Sequence, residues 1–239
     1  MILVFDSGDE RLTGKSYNQE IFNFEVDISS KEEDFLIADS NLEAMRWVDN
    51  WKSWSAPSIV IYGPRGCGKT HLANIFIQKS GANKIIPEAL TSNSPQSFLE
   101  NSNMFVLEDI ENNLDQESLL HFYNNTIDSG GQILFTARSA PSHWGLSLRD
   151  LESRLRSLPS ISIGMPEDAL LERVLVKHFS DRQLLITSDI VGYLITRIER
   201  SLEAASNIVS KIDSLAISSG RPITLPLVRE ALAIDNLKN

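Results

Sequence analysis

The sequence predicts an α/β fold in which a mostly parallel sheet is flanked by helices and followed by a small all-helical domain. Three observations lead to this prediction. Five short apolar runs alternate with stretches of helical periodicity, a pattern typical of a parallel sheet. A glycine-rich phosphate-binding motif connects the first run to a helix. After Pro166 the strand-like runs stop and only helical periodicity remains.

The predicted elements divide the chain into three regions. Strands are expected at residues 58–62, 84–86, 104–107, 132–136 and 160–163. Helices of the last region are expected at residues 167–180, 188–197, 201–219 and 224–234, with Gly220 as a stop signal. We therefore expect an acidic leader at 1–34, an α/β domain at 35–164 and a helical domain at 165–239.

The composition is that of an ordinary globular protein, because 42% of the 239 residues are hydrophobic and 23% are charged. No apolar run is long enough for a membrane span, and a single cysteine excludes a disulfide framework, so a cytoplasmic location is expected. The excess of acidic residues that gives the net charge of −10 comes from residues 1–148, which hold 20 acids and 10 bases. Residues 149–239 hold 12 of each. Affinity for nucleic acid comes largely from Lys and Arg, so we expect protein partners rather than tight direct DNA binding.

Ahead of the first strand, residues 41–54 place Trp47, Trp51 and Trp54 at helical spacing. An aromatic stripe of this kind either packs on the core or forms a surface for a partner. Core packing is the commoner outcome for an amphipathic helix.

The strongest motif is Gly63-Pro64-Arg65-Gly66-Cys67-Gly68-Lys69-Thr70, which fits G-x-x-x-x-G-K-[ST] at every position. Its glycines let the backbone N–H groups converge on phosphate oxygens at a helix N-terminus. Lys69 is expected to reach the β- and γ-phosphates, and the Thr70 hydroxyl to bind Mg²⁺. An accidental glycine-rich turn is the alternative, but the apolar run before the motif and the helical pattern after it favour a nucleotide site.

Two acids, Glu108 and Asp109, follow the predicted strand at 104–107. The first is expected to hold Mg²⁺ and the second to orient or deprotonate the attacking water. An acidic turn after a buried strand is the alternative reading. P-loop ATPases generally place Asp first, and Glu second in the AAA+ class, so the shorter Asp109 predicts slow intrinsic ATP hydrolysis.

With these motifs in place, the chain resembles the AAA+ ATPases of the DnaA group and, within it, the Hda family of DnaA inactivators, over roughly residues 19 to 236. The resemblance rests on GCGKTHLANI, FLIADSN, QILFTARS, DLESRLRS, IERSLEAASNIV and PITLPLVREALAI. At Arg138 the sequence departs from the family, which often has Asp there.

The resemblance implies roles for five further side chains. These are Leu36 and His71 beside the nucleotide, Thr136 as sensor 1, Arg200 as the sensor 2 arginine of the lid, and Arg154 as an arginine finger acting on the neighbouring subunit's ATP. From the residues alone, Arg154 could instead form a surface ion pair with Asp150 or Glu152, and Arg200 could be a solvated lid residue.

The function that the resemblance implies is regulatory inactivation of DnaA, a negative control of replication initiation. ADP or ATP with Mg²⁺ would order the domain, and Arg154 would complete the site of a DnaA–ATP subunit. A homodimer is a further option. No Lys or Arg occurs at 87–103, where DnaA carries an insertion that touches single-stranded DNA. We expect no helix-turn-helix domain of the kind with which DnaA reads DNA.

Two other functions stay open from the sequence. A DnaC/IstB-type helicase or transposase loader shares GKTHLA, but the leader offers neither a helicase-binding domain nor a basic surface. A free-standing ATPase with a small-molecule role is the third reading. Robust activity of the isolated protein that does not depend on Arg154 would favour that reading.

The leader contains Asn18 to Val26, NQEIFNFEV, in which apolar residues alternate. Hda proteins bind the DNA sliding clamp through a short N-terminal peptide that starts with Gln, and residues 19–24 supply Gln19, Phe22 and Phe24. Glu20 departs from the apolar residue expected at the second place. Such a peptide can pair its backbone with a sheet edge while alternate side chains fill pockets. An edge strand of the chain's own sheet is the alternative.

Overall fold

The sheet of this protein has five parallel strands. The computed structural model describes residues 35–87, 90, 102–111 and 115–236, without the side chains of residues 235 and 236. The leader, with its candidate peptide at 19–24, lies outside the described residues. The strands are β1 (Ser58–Tyr62), β2 (Asn83–Ile85), β3 (Met104–Leu107), β4 (Gln132–Ala137) and β5 (Ser160–Ser162). Each strand begins and ends within one residue of its predicted bounds. The predicted fold class is confirmed.

Eight α-helices accompany the sheet in the described part of the chain. They are α1 (Leu42–Asp49), α2 (Lys69–Ser80), α3 (Gln116–Asp128), α4 (Arg149–Arg156), α5 (Asp168–Asp181), α6 (Ser188–Ile195), α7 (Leu202–Ser219) and α8 (Leu225–Asn236). Two of them begin with a side-chain cap: Asp115 accepts a hydrogen bond from the Ser118 N–H before α3, and Ser201 accepts one from the Ala204 N–H before α7. None of these helices is long and apolar enough to cross a lipid bilayer.

The strand order across the sheet is β2-β3-β4-β1-β5, and every pairing is parallel. Alternate residues of β1 face opposite sides. Ile59 and Ile61 pack with α1 and α2, whereas Val60 packs with α3 and α4. Both faces of the sheet are therefore covered by helices, which explains why its strands are continuous apolar runs.

The tryptophans of the N-terminal helical segment pack on the core. Trp54 stacks on Phe76 of α2 with ring centroids 5.3 Å apart, and Trp51 meets the same ring edge-on at 6.2 Å. The Trp54 indole N–H donates to the Trp47 carbonyl at 2.8 Å. Core packing therefore accounts for this aromatic stripe.

Helices α5 to α8 form a second apolar core of their own, which we call the lid. Its buried side chains include Leu171, Leu194, Val209 and Val228, each less than 5% exposed. The segment after β5 joins the lid to the sheet, and its Gly164 N–H donates to the Ser40 carbonyl at 3.0 Å.

Replacing Gly131 with alanine is expected to lower the free energy of unfolding by about 2 kcal/mol, because its Cβ would clash with fixed backbone. An added Cβ would lie 2.2 Å from the Asn103 carbonyl oxygen and 2.9 Å from the Thr126 carbonyl oxygen. Gly192→Ala in α6 is the control, since its Cβ meets nothing within 4 Å. That variant should be more stable by about 0.5–1 kcal/mol. Urea denaturation of both variants checks the prediction, and equal stabilities would contradict it.

Candidate functional site

The glycine-rich loop lies between the end of β1 at Tyr62 and the start of α2 at Lys69. The Gly63 N–H donates to the Ala137 carbonyl at 3.1 Å, which ties the loop to the end of β4. Gly66 and Gly68 have φ angles of 72° and 109°, a backbone conformation that favours glycine. The motif residues therefore form a tight turn directly at the N-terminus of α2, as a phosphate-binding loop requires.

Lys69 folds back over this loop. Its ammonium donates to the Gly63 carbonyl at 2.8 Å and to the Pro64 carbonyl at 2.9 Å, and the residue is 8% exposed. Cys67 is also buried, and burial raises the pKa of its thiol, so the thiol stays protonated near neutral pH. The cysteine therefore serves as a small packing residue of the loop.

A cavity of about 560 Å³, which we call the P-loop cavity, opens beside the loop. The residues that line it are Arg65, Gly66, Gly68, Lys69, Thr70, Asp109, Arg138, Leu202 and Glu203. The loop residues, Thr70 and Asp109 were predicted from sequence, and the structure brings them together. Leu202 and Glu203 belong to α7, so the lid closes one side of this cavity.

The first acid after β3, Glu108, is held by two side chains. Its Oε2 accepts a hydrogen bond from the Thr70 hydroxyl at 2.7 Å, and its Oε1 lies 2.6 Å from the Lys84 ammonium. Hydroxyl and carboxylate oxygens are the ligands that Mg²⁺ prefers, so Thr70 and Glu108 fit a magnesium ion. Lys84 on β2 adds a positive charge next to the same carboxylate.

The second acid, Asp109, adopts a φ of 53° and turns its side chain into the P-loop cavity. Its N–H donates to the Thr136 hydroxyl at 3.3 Å. Thr136 is 1% exposed, so this side chain holds the turn that carries Asp109. Arg138 directly follows β4, two residues after Thr136, and it lines the P-loop cavity.

A second, smaller recess of about 190 Å³ lies between the sheet domain and the lid. Its lining residues are Phe35, Leu36, His71, Leu170, Val174, Lys177, His178, Asp181 and Leu202. The Phe35 and His71 rings meet edge-on with centroids 5.2 Å apart. Leu36 and His71, both predicted from sequence, therefore share one mainly apolar recess, and Leu202 lines both this recess and the P-loop cavity.

The lid docks directly on the glycine-rich loop. The Leu202 N–H donates to the Gly66 carbonyl at 2.8 Å. The Arg65 guanidinium makes two hydrogen bonds to the Glu203 carboxylate, at 3.1 and 3.2 Å, and this carboxylate raises the pKa of Arg65. A Cβ on Gly66 would lie 2.5 Å from the Ser201 Cβ, so only glycine allows this close approach.

The two arginines implied by the resemblance lie outside both cavities. Arg200 forms an ion pair with Asp168 at 2.8 Å, with each side chain 58% exposed. Arg154 lies on α4 and pairs with Asp150 at 3.0 Å, with its side chain 44% exposed. The roles predicted for Arg154 and Arg200 stay predictions. Gln19, Phe22 and Phe24 lie outside the described residues.

Three charged residues of the site were not among the sequence predictions. Lys84 contacts Glu108, Arg138 lines the P-loop cavity and Glu203 anchors Arg65. Arg138 carried a usable signal, because it directly follows a buried strand at the carboxyl edge of a parallel sheet, where ligands bind. Lys84 and Glu203 carried none, since their contacts depend on how distant segments pack.

Comparisons with known proteins agree with this geometry. Residues 168–232 match the family model "Hda, lid domain". The chain is 26% identical over 209 residues to the chromosomal replication initiator protein DnaA of Buchnera aphidicola subsp. Cinara cedri, and this match covers 78% of the chain but only 48% of that protein. The chain thus spans about half the length of this relative.

Two solved structures share the fold. Domain III of the Thermotoga maritima replication initiation protein DnaA superposes with a TM-score of 0.71 at 17% identity, over 84% of this chain and 95% of that one. AMPPCP-bound DnaA from Aquifex aeolicus superposes with a TM-score of 0.62 at 20% identity, over 77% of this chain and 64% of that one. The chain is therefore similar in sequence to DnaA, its lid matches the Hda lid model, and it shares the fold of the solved DnaA structures.

Proposed function

We propose that this protein is a nucleotide-binding regulator of replication initiation that stimulates ATP hydrolysis by DnaA and thereby inactivates it. ADP or ATP occupies the P-loop cavity and the adjoining recess. The protein docks on the DNA sliding clamp through its leader and presents Arg154 to the ATP of a DnaA subunit.

The nucleotide part of the proposal is supported by the form of the two cavities. The P-loop cavity offers backbone N–H groups, the N-terminus of α2 and Lys69 to phosphates, and the apolar recess suits a base. The similar DnaA from Aquifex aeolicus is AMPPCP-bound. When bound, Mg²⁺ at Thr70 and Glu108 would neutralise phosphate charge. Asp109 would orient water, but its short side chain makes slow hydrolysis of the protein's own ATP the expected outcome.

The observation that carries the proposal is the position of Arg154. Leu151 and Leu155 are fully buried and anchor α4 to the sheet domain, while the Arg154 side chain is 44% exposed. Among the described residues, its side chain forms a hydrogen bond and an ion pair only with Asp150 on the same helix, and exposed pairs of this kind contribute little. Because Arg154 lies outside the chain's own P-loop cavity, its guanidinium is available for a phosphate bound to another subunit.

The test of this proposal is ATP hydrolysis by DnaA in the presence of clamp-loaded DNA, measured with and without the full-length protein. The expected result is a faster conversion of DnaA–ATP to DnaA–ADP by at least about tenfold, a modest share of what an arginine finger can supply. The absence of any stimulation would reject the proposal. Co-purification with the replicative helicase but not with DnaA would instead favour a loader.

A leader variant separates docking from hydrolysis in the same assay. Gln19→Ala combined with Phe24→Ala should abolish stimulation when the clamp is loaded on DNA, because the proposed anchor side chains are removed. The variant should still bind ADP like the wild type, which shows that its folded domain is intact. Unchanged clamp binding by this variant would contradict the docking peptide.

A further inference from the structure

Helix α4, which carries Arg154, begins without a cap from its own sequence. Its N-cap residue is Leu148, whose side chain makes no capping hydrogen bond. The third helical residue is Leu151, which is fully buried. A capping box needs Ser or Thr at the first of these positions and Glu or Gln at the second, so two leucines cannot form one. The start of α4 therefore depends on acceptors from elsewhere in the fold.

Gln116, the first residue of α3, supplies such an acceptor. Its Oε1 accepts the Leu148 N–H at 2.9 Å, the Ser147 N–H at 2.9 Å and the Ser147 hydroxyl at 3.2 Å. In a capping box the N-cap N–H is satisfied by a side chain of the same helix, whereas here a side chain of another helix does this. One side-chain oxygen thus binds both backbone donors at the entry to α4.

Helix α3 is a firm support for this contact. Its N-terminus is capped by Asp115, which accepts the Ser118 N–H at 3.2 Å. Leu119 and Phe122 on the same helix are fully buried against the sheet. Because α3 is held in this way from its first turn onward, the Gln116 oxygen is a fixed reference point for the start of α4.

A second acceptor holds the other end of the segment that leads from β4 to α4. The Glu111 carboxylate accepts the Ser139 N–H and, at 2.8 Å, the Ser139 hydroxyl. The Ser139 carbonyl in turn accepts the Trp144 indole N–H at 2.9 Å. The segment 139–148 is therefore fastened at its first residue by Glu111 and at its last by Gln116.

The position of Arg154 follows from how α4 is held. Leu151 and Leu155 lie on one face of the helix and are fully buried, so they fix its rotation about its axis. The hydrogen bonds of Gln116 fix where the helix begins along that axis. Arg154 lies about 9 Å further along the helix than Leu148, so a displacement of the start is carried to the guanidinium.

We propose that Gln116 is a positioning residue for the arginine finger, because its side-chain oxygen fixes the start of α4 and so defines where Arg154 meets the ATP of a DnaA subunit. This role rests on the proposed function and deepens it, since it places a requirement for the finger outside α4. Misplacing a catalytic group by about 1 Å can lower a rate by about 100-fold. Loss of Gln116 therefore acts on the rate of hydrolysis rather than on docking.

The test compares full-length Gln116→Ala and Gln116→Glu in ATP hydrolysis by DnaA with clamp-loaded DNA, over a range of concentrations of each variant. Gln116→Ala should lower the maximal stimulated rate by about tenfold or more, while the concentration for half-maximal stimulation changes by less than about threefold. Gln116→Glu keeps the acceptor oxygen and should stay within about threefold of the wild type. Gln78→Ala is the matched control and should behave like the wild type, because it removes an exposed glutamine from α2, on the opposite face of the sheet.

Hydrogen exchange measures the anchor itself, without DnaA. The Ser147 and Leu148 amides should exchange about tenfold faster in Gln116→Ala than in the wild type, because each loses its hydrogen bond to the side chain. In Gln116→Glu both amides should stay protected. All three variants should bind ADP like the wild type, since Gln116 and Gln78 line neither the P-loop cavity nor the apolar recess.

Three results would overturn the inference. Full stimulation by Gln116→Ala would show that the finger does not depend on Gln116, while leaving the proposed function intact. Equal losses in Gln116→Ala and Gln116→Glu would show that the acceptor oxygen is not required. Unchanged exchange of the Ser147 and Leu148 amides in Gln116→Ala would remove the anchor. A wild type that does not stimulate DnaA rejects the proposed function together with the role of Gln116, and the exchange rates then report on the anchor separately.

Discussion

Lys69→Ala is expected to weaken the binding of ADP and ATP by about 100-fold or more, because it removes a charge-assisted contact to phosphate. The ammonium also donates to two carbonyls of the loop, those of Gly63 and Pro64, from a position that is only 8% exposed. The substitution therefore removes a charge and also loosens the turn that aims the backbone N–H groups. Titration with a fluorescent ADP analogue measures the effect.

The control for this prediction lies on the same helix. Lys79, in the last turn of α2, pairs with Asp49 at 2.6 Å and does not line the P-loop cavity. Lys79→Ala also removes a lysine side chain from α2, but it should leave the ADP affinity unchanged. Circular dichroism of both variants separates loss of binding from loss of fold. If the Lys69→Ala variant is folded and binds ADP as tightly as the wild type, the P-loop cavity is not a nucleotide site of the expected kind.

Strands and the glycine-rich loop could be predicted because their signals are local. The apolar runs of β1 and β3 are buried on both faces, so each reads as a strand without knowledge of its neighbours. Gly66 and Gly68 adopt the left-handed φ angles that the motif implies. Glu108 and Asp109 follow β3 directly, and the carboxyl end of a parallel strand faces the ligand side of the sheet. These features depend on short stretches of chain only.

The charged contacts of the site could not be predicted, because they join segments that are distant in the sequence. Lys84 meets Glu108 only through the parallel pairing of β2 with β3. Arg65 and Glu203 are separated by 138 positions, and their contact depends on how the lid docks. Arg200 shows the same limit, since its ion pair with Asp168 joins the segment before α7 to the start of α5, and no local pattern defines how these two parts of the lid pack.

Arg154→Ala is expected to abolish the stimulation of DnaA. The rate of ATP hydrolysis by DnaA should fall to its unstimulated level, or by about 10³-fold where the stimulation is larger than that. A guanidinium that reaches γ-phosphate oxygens stabilises the charge that develops during transfer. Arg154 meets the steric requirement for action on another subunit, because its side chain is 44% exposed on α4. The measurement is hydrolysis by DnaA with clamp-loaded DNA at a saturating concentration of each variant.

Arg156→Ala is the matched control for Arg154→Ala. Arg156 lies on the same helix, is 52% exposed and forms the same type of i, i+4 ion pair, with Glu152 at 3.1 Å. Both variants lose one exposed arginine and one weak ion pair, so their stabilities and their ADP affinities should agree. A specific role of Arg154 requires that only its variant loses stimulation. If both variants stimulate DnaA like the wild type, α4 does not supply the finger; if both lose it equally, the helix contributes positive charge to docking rather than a catalytic group.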